Sequence, residues 1–145
     1  MRMKKLLAGI LILVLLLCAC SCAVPVQDAA VVHFIDVGQA DAILIVSDNS
    51  SVLIDAGTNS SGEAVLNYIK ALGINKIDYL IGTHPHEDHI GGLDTIINGL
   101  DIENILMPRH SSNTQTYEDV LIAAKDKGLK ITAAKAGGSF TAGQC

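Results

Sequence analysis

Tryptophan is absent from this 145-residue chain, and tyrosine and phenylalanine together supply only 3% of it. A core without large rings has to be filled by Leu, Ile, Val and Ala, and the length leaves room for one folded domain at most. Basic residues are scarce too. Three of the ten, Arg2, Lys4 and Lys5, crowd the first five positions, and the rest of the chain carries seven bases against fifteen acids. A protein that coats nucleic acid needs a basic stripe to displace counterions from phosphates, so the composition argues against that class and stays compatible with a small acidic patch around a metal. Cysteine is missing between Cys22 and Cys145, which leaves no internal disulfide framework to argue for. There is no internal repeat and no low-complexity tract. The uncharged apolar run, residues 6–17, is 12 residues long. A membrane-spanning helix needs about 20.

That run follows a basic start and leads into Leu17-Cys18-Ala19-Cys20-Ser21-Cys22, the order of an export signal. A small residue ahead of a cysteine resembles a bacterial lipoprotein signal, in which that cysteine becomes the lipidated first residue. Cys20 after Ala19 is the best match and Cys22 after Ser21 the second, while Leu17 is too bulky to precede Cys18 at a cleavage position. An ordinary secretory signal with incidental cysteines is the competing reading. The expected organisation is a lipoprotein-type signal over residues 1–19, a tether with Pro25 and no apolar period over 20–30, and a folded part over 31–145. The protein is then exported and held by membrane lipid through Cys20 on the outer side of a bacterial cytoplasmic membrane, or secreted. No protein partner is evident.

Residues 31–36, 42–47 and 51–55 are rich in β-branched residues, and Asp48-Asn49-Ser50 is a turn cluster between the last two. These read as a strand followed by a hairpin. The period then changes. Over residues 63–72, Val65, Leu66, Ile69 and Leu72 fall on one helical face, with Ser60 and Glu63 as a capping box and Gly73 as the stop. A strand over 77–81, a short helix over 93–97, a strand over 105–107, a helix over 117–127 capped by Thr116 with Asp119, and a strand over 129–133 complete the pattern. Hairpin strands followed by alternating strand and helix predict an α/β layered domain with a mixed sheet. In such folds ligands bind at the carboxyl ends of strands.

Directly after the strand over 77–81 comes Gly82-Thr83-His84-Pro85-His86-Glu87-Asp88-His89-Ile90-Gly91-Gly92. Pro85 biases His84 towards extended backbone, where alternate residues face one way, so His84 and His86 can converge on one cation. Asp88 and His89 follow where the chain turns towards the next helix, and can point back into the same pocket. Imidazole and carboxylate are the expected Zn²⁺ ligands at about 2.0 to 2.2 Å, and related divalent ions such as Mn²⁺ accept them as well. Gly91 and Gly92 let backbone pass close by.

His84-Pro85-His86-Glu87-Asp88-His89 resembles the H-x-H-x-D-H signature of the metallo-β-lactamase superfamily. Phe34-Ile35-Asp36-Val37-Gly38-Gln39-Ala40-Asp41 and Leu53-Ile54-Asp55-Ala56-Gly57 resemble the branch that includes the ComEC-like domain of bacterial DNA-uptake competence proteins. That similarity spans residues 31 to about 142. It implies an αββα sandwich with one or two metal ions at the sheet edge, His84 and His86 on the first metal, Asp88 and His89 on the second, and a metal-activated water as nucleophile, with Asp88 as the catalytic carboxylate. Ala40 departs from the Gly-Gln-Gly-Asp usual in that branch, which could alter the turn.

The family's later histidine, bridging aspartate and second half-domain do not appear before Cys145. The expectation is therefore the N-terminal half of a sandwich, truncated and with an incomplete ligand set, in which Val65, Leu66, Ile69, Val120 and Leu121 lack their partner layer. His110 comes too early to be the missing ligand. Asp55, at a strand end before Gly57, is a candidate to accept a hydrogen bond from a ligand imidazole, with turn capping as the alternative; Asp41 carries the same ambiguity near the cleft. Asp36 reads as structural at a strand end, and His33 as a packed sheet residue. Two functions follow as expectations: a metal-dependent hydrolase acting on a phosphodiester or nucleic-acid-type substrate, with lactam or thioester kept open, or a surface lipoprotein that binds metal or a partner without turnover.

Overall fold

The computed structural model describes residues 30–143. The expected signal and most of the tether, including Cys20 and Cys22, lie outside the described residues. Among those described, no helix is long and apolar enough to cross a membrane.

Six strands form one mixed sheet in sequence order: β1 (Val31–Phe34), β2 (Ile43–Ser47), β3 (Ser50–Ile54), β4 (Lys76–Ile81), β5 (Asp101–Met107) and β6 (Ile131–Ala133). The first three run antiparallel and the last four, from β3 on, parallel. The β2–β3 hairpin closes through Asp48-Asn49 between the paired Ser47 and Ser50, and Asp48 takes the left-handed backbone such a turn requires, φ 52°. Parallel strands need crossovers, supplied here by α1 (Gly62–Ala71) between β3 and β4, α2 (Glu87–Ile90) and α3 (Leu93–Gly99) before β5, and α4 (Gln115–Asp126) before β6.

The pairing register separates two faces. Leu44, Leu53, Leu80 and Ile105 stand side by side across β2 to β5 and are fully buried. They pack with Val65, Leu66 and Ile69 of α1, Ile96 and Ile97 of α3, and Val120 and Ala124 of α4. Burying each such side chain is worth about 1.5–3 kcal/mol. One residue along, Phe34, Ile43, Ile54, Ile81 and Leu106 form the adjacent row and point to the opposite face. Phe34 is 80% exposed and the other four are half-buried. Phe140 comes back over this face and stacks on Tyr79, ring centroids 4.2 Å apart.

This overturns the expectation that Val65, Leu66, Ile69 and Val120 lack a partner layer: all four are buried against the sheet, and only Leu121 of that group is exposed. Among the described residues, the apolar surface without helices is the other side of the sheet. Helix ends also differ from expectation. Ser61, not Ser60, holds the capping position before α1, and no side chain caps the helix, because the hydroxyls of Ser60 and Ser61 both bond Thr58 Oγ1. Thr114 caps α4 by accepting from Tyr117 N–H, while Thr116 lies inside the helix, buried, where its hydroxyl accepts from Asn59 Nδ2. Leu72 closes α1 in an exposed position instead of joining the buried face.

Candidate metal centre

The strand directions bring the ends of β1, β3, β4, β5 and β6 and the start of β2 to one edge of the sheet. The metal-site candidates lie there: Asp41 in the loop before β2, Asp55 directly after β3, His84 and His86 in the loop after β4, and Asp88 and His89 in α2. Backbone hydrogen bonds lace these loops together. Asp41 N–H donates to Asp88 O, Ala56 N–H to His89 O, Gly57 N–H to Asp41 O, and Gly92 N–H to Gly57 O. Asn59 N–H adds a bond to Glu87 Oε1 at 2.8 Å. The segments that carry the candidate side chains are thereby tied together by main chain.

Pro85 keeps the run extended up to His86, whose φ and ψ of −87° and 150° precede the single turn of α2. Extended backbone puts His84 and His86 on one side, with ring centroids 4.7 Å apart, and the turn returns His89 to 3.8 Å from His84. Asp88 Oδ2 lies 3.7 Å from His89 Nε2, and Asp41 Oδ2 3.5 Å from His89 Nδ1. His86 is exposed and Asp88 half-exposed, whereas only 16% of the His89 side chain is accessible.

Asp55 is the buried centre of this edge, 2% exposed, with φ at 57° in the left-handed region that Asp tolerates better than most residues. Its Oδ2 accepts from His89 Nδ1 at 2.8 Å and from Thr83 Oγ1 at 2.6 Å, and its Oδ1 from Thr83 N–H at 2.8 Å. The geometry matches the hydrogen-bonding alternative for Asp55. Thr83 was not singled out by sequence, although a hydroxyl residue between the strand and the first histidine is a readable signal. It also lies 3.1 Å from His84 Nδ1.

The remaining expectations fall away from the cluster or refine it. His33 bonds Tyr68 O–H through Nδ1 at 3.0 Å, as a sheet histidine engaged with α1. Asp36 Oδ1 accepts from Gly38 N–H and shapes the turn before β2. In that turn Gly38 holds the positive φ, 74°, and Ala40 does not, so the methyl at position 40 brings no backbone strain. His110 sits exposed in the loop after β5.

The donor set fits a divalent cation by its chemistry: three imidazoles and a carboxylate within six residues, with the Nδ1 of His89 and His84 already engaged by Asp55 and Thr83. Among the described residues no three His, Cys, Asp or Glu side chains yet surround a common point.

Residues 35–141 match the family model described as the metallo-beta-lactamase superfamily. The chain is 31% identical over 124 residues to ComE operon protein 3 of Bacillus subtilis, covering 73% of this chain and 16% of that protein. It is 31% identical over 97 residues to the probable metallo-hydrolase YqgX of B. subtilis, covering 66% and 43%. It is 30% identical over 97 residues to recombination protein 2 of Haemophilus influenzae, covering 63% and 12%. Among solved structures, metallo-β-lactamase SMB-1 bound to 2-mercaptoethanesulfonate superposes with a TM-score of 0.57 at 20% identity, over 77% of this chain and 46% of that one. The chain thus spans less than half the length of each of these proteins.

Proposed function

Since the chain belongs to the metallo-beta-lactamase superfamily, in which metal-dependent hydrolysis is the general activity and divalent metals, typically zinc, are usual, we propose that this protein is a metal-dependent hydrolase of phosphodiester bonds, acting on a nucleic-acid-type substrate outside the cytoplasmic membrane. The observation that carries the reading is the packing of His84, His86 and His89 at the carboxyl end of β4, with Asp88 beside His89 Nε2. His84, His86, Asp88 and His89 would hold one or two divalent ions, zinc first and manganese as an alternative. A bound ion of this kind supplies a water acidic enough to ionise near neutral pH and polarises the substrate oxygen.

The chain's own groups have separable roles. Asp55 orients the His89 ring through Nδ1 and stays out of water. Asp88, half-exposed and next to His89 Nε2, would accept the proton of the attacking water at Oδ2. Asp41, largely exposed on the neighbouring loop, lines the approach. The phosphodiester preference is supported by relatives whose names refer to competence and recombination, ComE operon protein 3, competence protein ComA and recombination protein 2. Export and attachment to membrane lipid through Cys20 are supported by the basic and apolar start of the sequence.

The test is metal uptake and turnover by the full chain with Zn²⁺ or Mn²⁺, offered bis(p-nitrophenyl) phosphate, single-stranded DNA and a chromogenic β-lactam in parallel. The expected result is retention of one or two ions and diester cleavage, both lost in His86→Ala. Turnover of the lactam alone would refute the substrate class. Metal retention without any turnover would make this a binding protein, and unchanged activity in His86→Ala would remove the site.

A further inference from the structure

The hydrogen-bond directions around Thr83 carry information beyond the ligand set. A carboxylate has no hydrogen to give, so at Asp55 every contact must be donated to it. The Thr83 hydroxyl hydrogen is therefore engaged by Asp55 Oδ2 at 2.6 Å, and Thr83 N–H holds Oδ1 at 2.8 Å, which fixes the rotation of the carboxylate. A hydroxyl has one hydrogen. Its 3.1 Å contact with His84 Nδ1 can then run only from ring to oxygen, with Nδ1–H donating. His89 Nδ1–H donates to Asp55 Oδ2 directly, at 2.8 Å. A neutral imidazole carries one proton, so each ring is left with a bare Nε2.

We propose that Thr83 is a positioning residue: through its hydroxyl the single buried carboxylate of Asp55 fixes the tautomer of two histidines, His89 directly and His84 by relay, so that both offer Nε2 to a cation. The burial of Asp55 strengthens the bonds it accepts from Thr83 and His89. The tautomer assignment stands on these contacts, and its last step, use of both Nε2 atoms by a metal, rests on the function proposed above.

Long-range ¹H–¹⁵N spectra of the metal-free full chain at mildly alkaline pH report which ring nitrogen carries the proton. The parent is expected to show His84 and His89 in the Nδ1–H form. Thr83→Val keeps the shape at an exposed position and removes the hydroxyl, so His84 should move towards the Nε2–H form while His89 stays; Thr83→Ser should restore the parent pattern. Zn²⁺ affinity by chelator competition should fall about 10–100-fold in Thr83→Val and return in Thr83→Ser. Circular dichroism confirms that both variants fold. A parent with His84 protonated at Nε2, or a Thr83→Val variant with unchanged spectra or unchanged Zn²⁺ affinity, overturns the relay. A parent that shows the relay in its spectra and takes up no Zn²⁺ overturns the metal reading instead, and leaves the tautomer assignment standing.

Discussion

Asp55 Oδ2 and His89 Nδ1 meet at 2.8 Å, and Asp55 adopts a left-handed backbone, φ 57°, while making that contact. Asparagine tolerates this backbone and matches the aspartate in shape, whereas alanine adds about 1–2 kcal/mol of strain. Asp55→Asn therefore isolates the change in hydrogen bonding. It should lower Zn²⁺ affinity about 10–100-fold with a modest effect on urea unfolding. Asp55→Ala should lower affinity and also destabilise the fold, because Thr83 N–H loses its acceptor at a cost of about 1–3 kcal/mol. Equal Zn²⁺ affinity in parent and Asp55→Asn would show that the aspartate caps the turn and nothing more.

Gly91 marks where two loops touch. A Cβ there would stand 2.2 Å from Asn59 N and 2.4 Å from Thr58 C, both backbone atoms that cannot rotate away. Gly91→Ala should destabilise the chain by at least about 1–3 kcal/mol in urea unfolding, and disturb His89, whose carbonyl accepts from Ala56 N–H in the same contact. A neutral substitution would mean that the framework holding the histidines is slack.

The exposed side of the sheet makes a separate prediction. Phe34 is 80% exposed and heads the apolar row Ile43, Ile54, Ile81 and Leu106. Phe34→Ser should change stability by less than about 0.5 kcal/mol and reduce self-association measured by light scattering. A large loss of stability would show that Phe34 is covered in solution.

At the opposite edge Lys76 bridges Asp78, at 2.9 Å, and Glu103. Burial pushes the Asp78 carboxyl up, but the hydrogen bonds from Lys76 and from Ser51 N–H outweigh it and hold the group below its ordinary 3.8. A depressed carboxyl stabilises the fold above that value and loses its effect as pH falls through the lowered one. Asp78→Asn should melt slightly below the parent at neutral pH, and the two melting curves should converge as pH drops below 3.8. For Lys76 the hydrogen bonds to Glu103 and then Asp78 raise the ammonium above its ordinary 10.5. Its contribution is present below that value and is lost only in strong alkali. A gap between the variants that persists in acid would contradict the assignment.

Sequence revealed most about what is local. The histidines sit within six residues after a strand, so their convergence follows from backbone period alone, and Asp55 is marked by its place at a strand end. The short α2 was invisible because one turn has no periodicity. The first half of β5 was hidden by Asp101, Glu103 and Asn104, polar residues that leave Ile102 alone among them. Helix caps failed for a different reason: Thr58, close by in sequence, captures the Ser60 and Ser61 hydroxyls, and Thr116 turns inward to Asn59, a neighbour distant in sequence. The bare face was misplaced because alternation shows that a strand has two sides without showing which one meets the helices. Thr83 has a readable place, a hydroxyl between the strand and the first histidine, but its role depends on proton direction among three groups, which that place alone does not encode.

The pairing of Ile54 with Ile81 has a further consequence. Asp55 and the residues that follow β4 are brought opposite each other by that one alignment of neighbouring parallel strands, and a slip of one residue would send the aspartate to the far side of the sheet. A mispaired chain could bury nearly as much aliphatic surface and still be unable to grip an ion. Cation retention would then act as a proofreading signal, separating correctly aligned molecules from compact ones that are shifted by a single step.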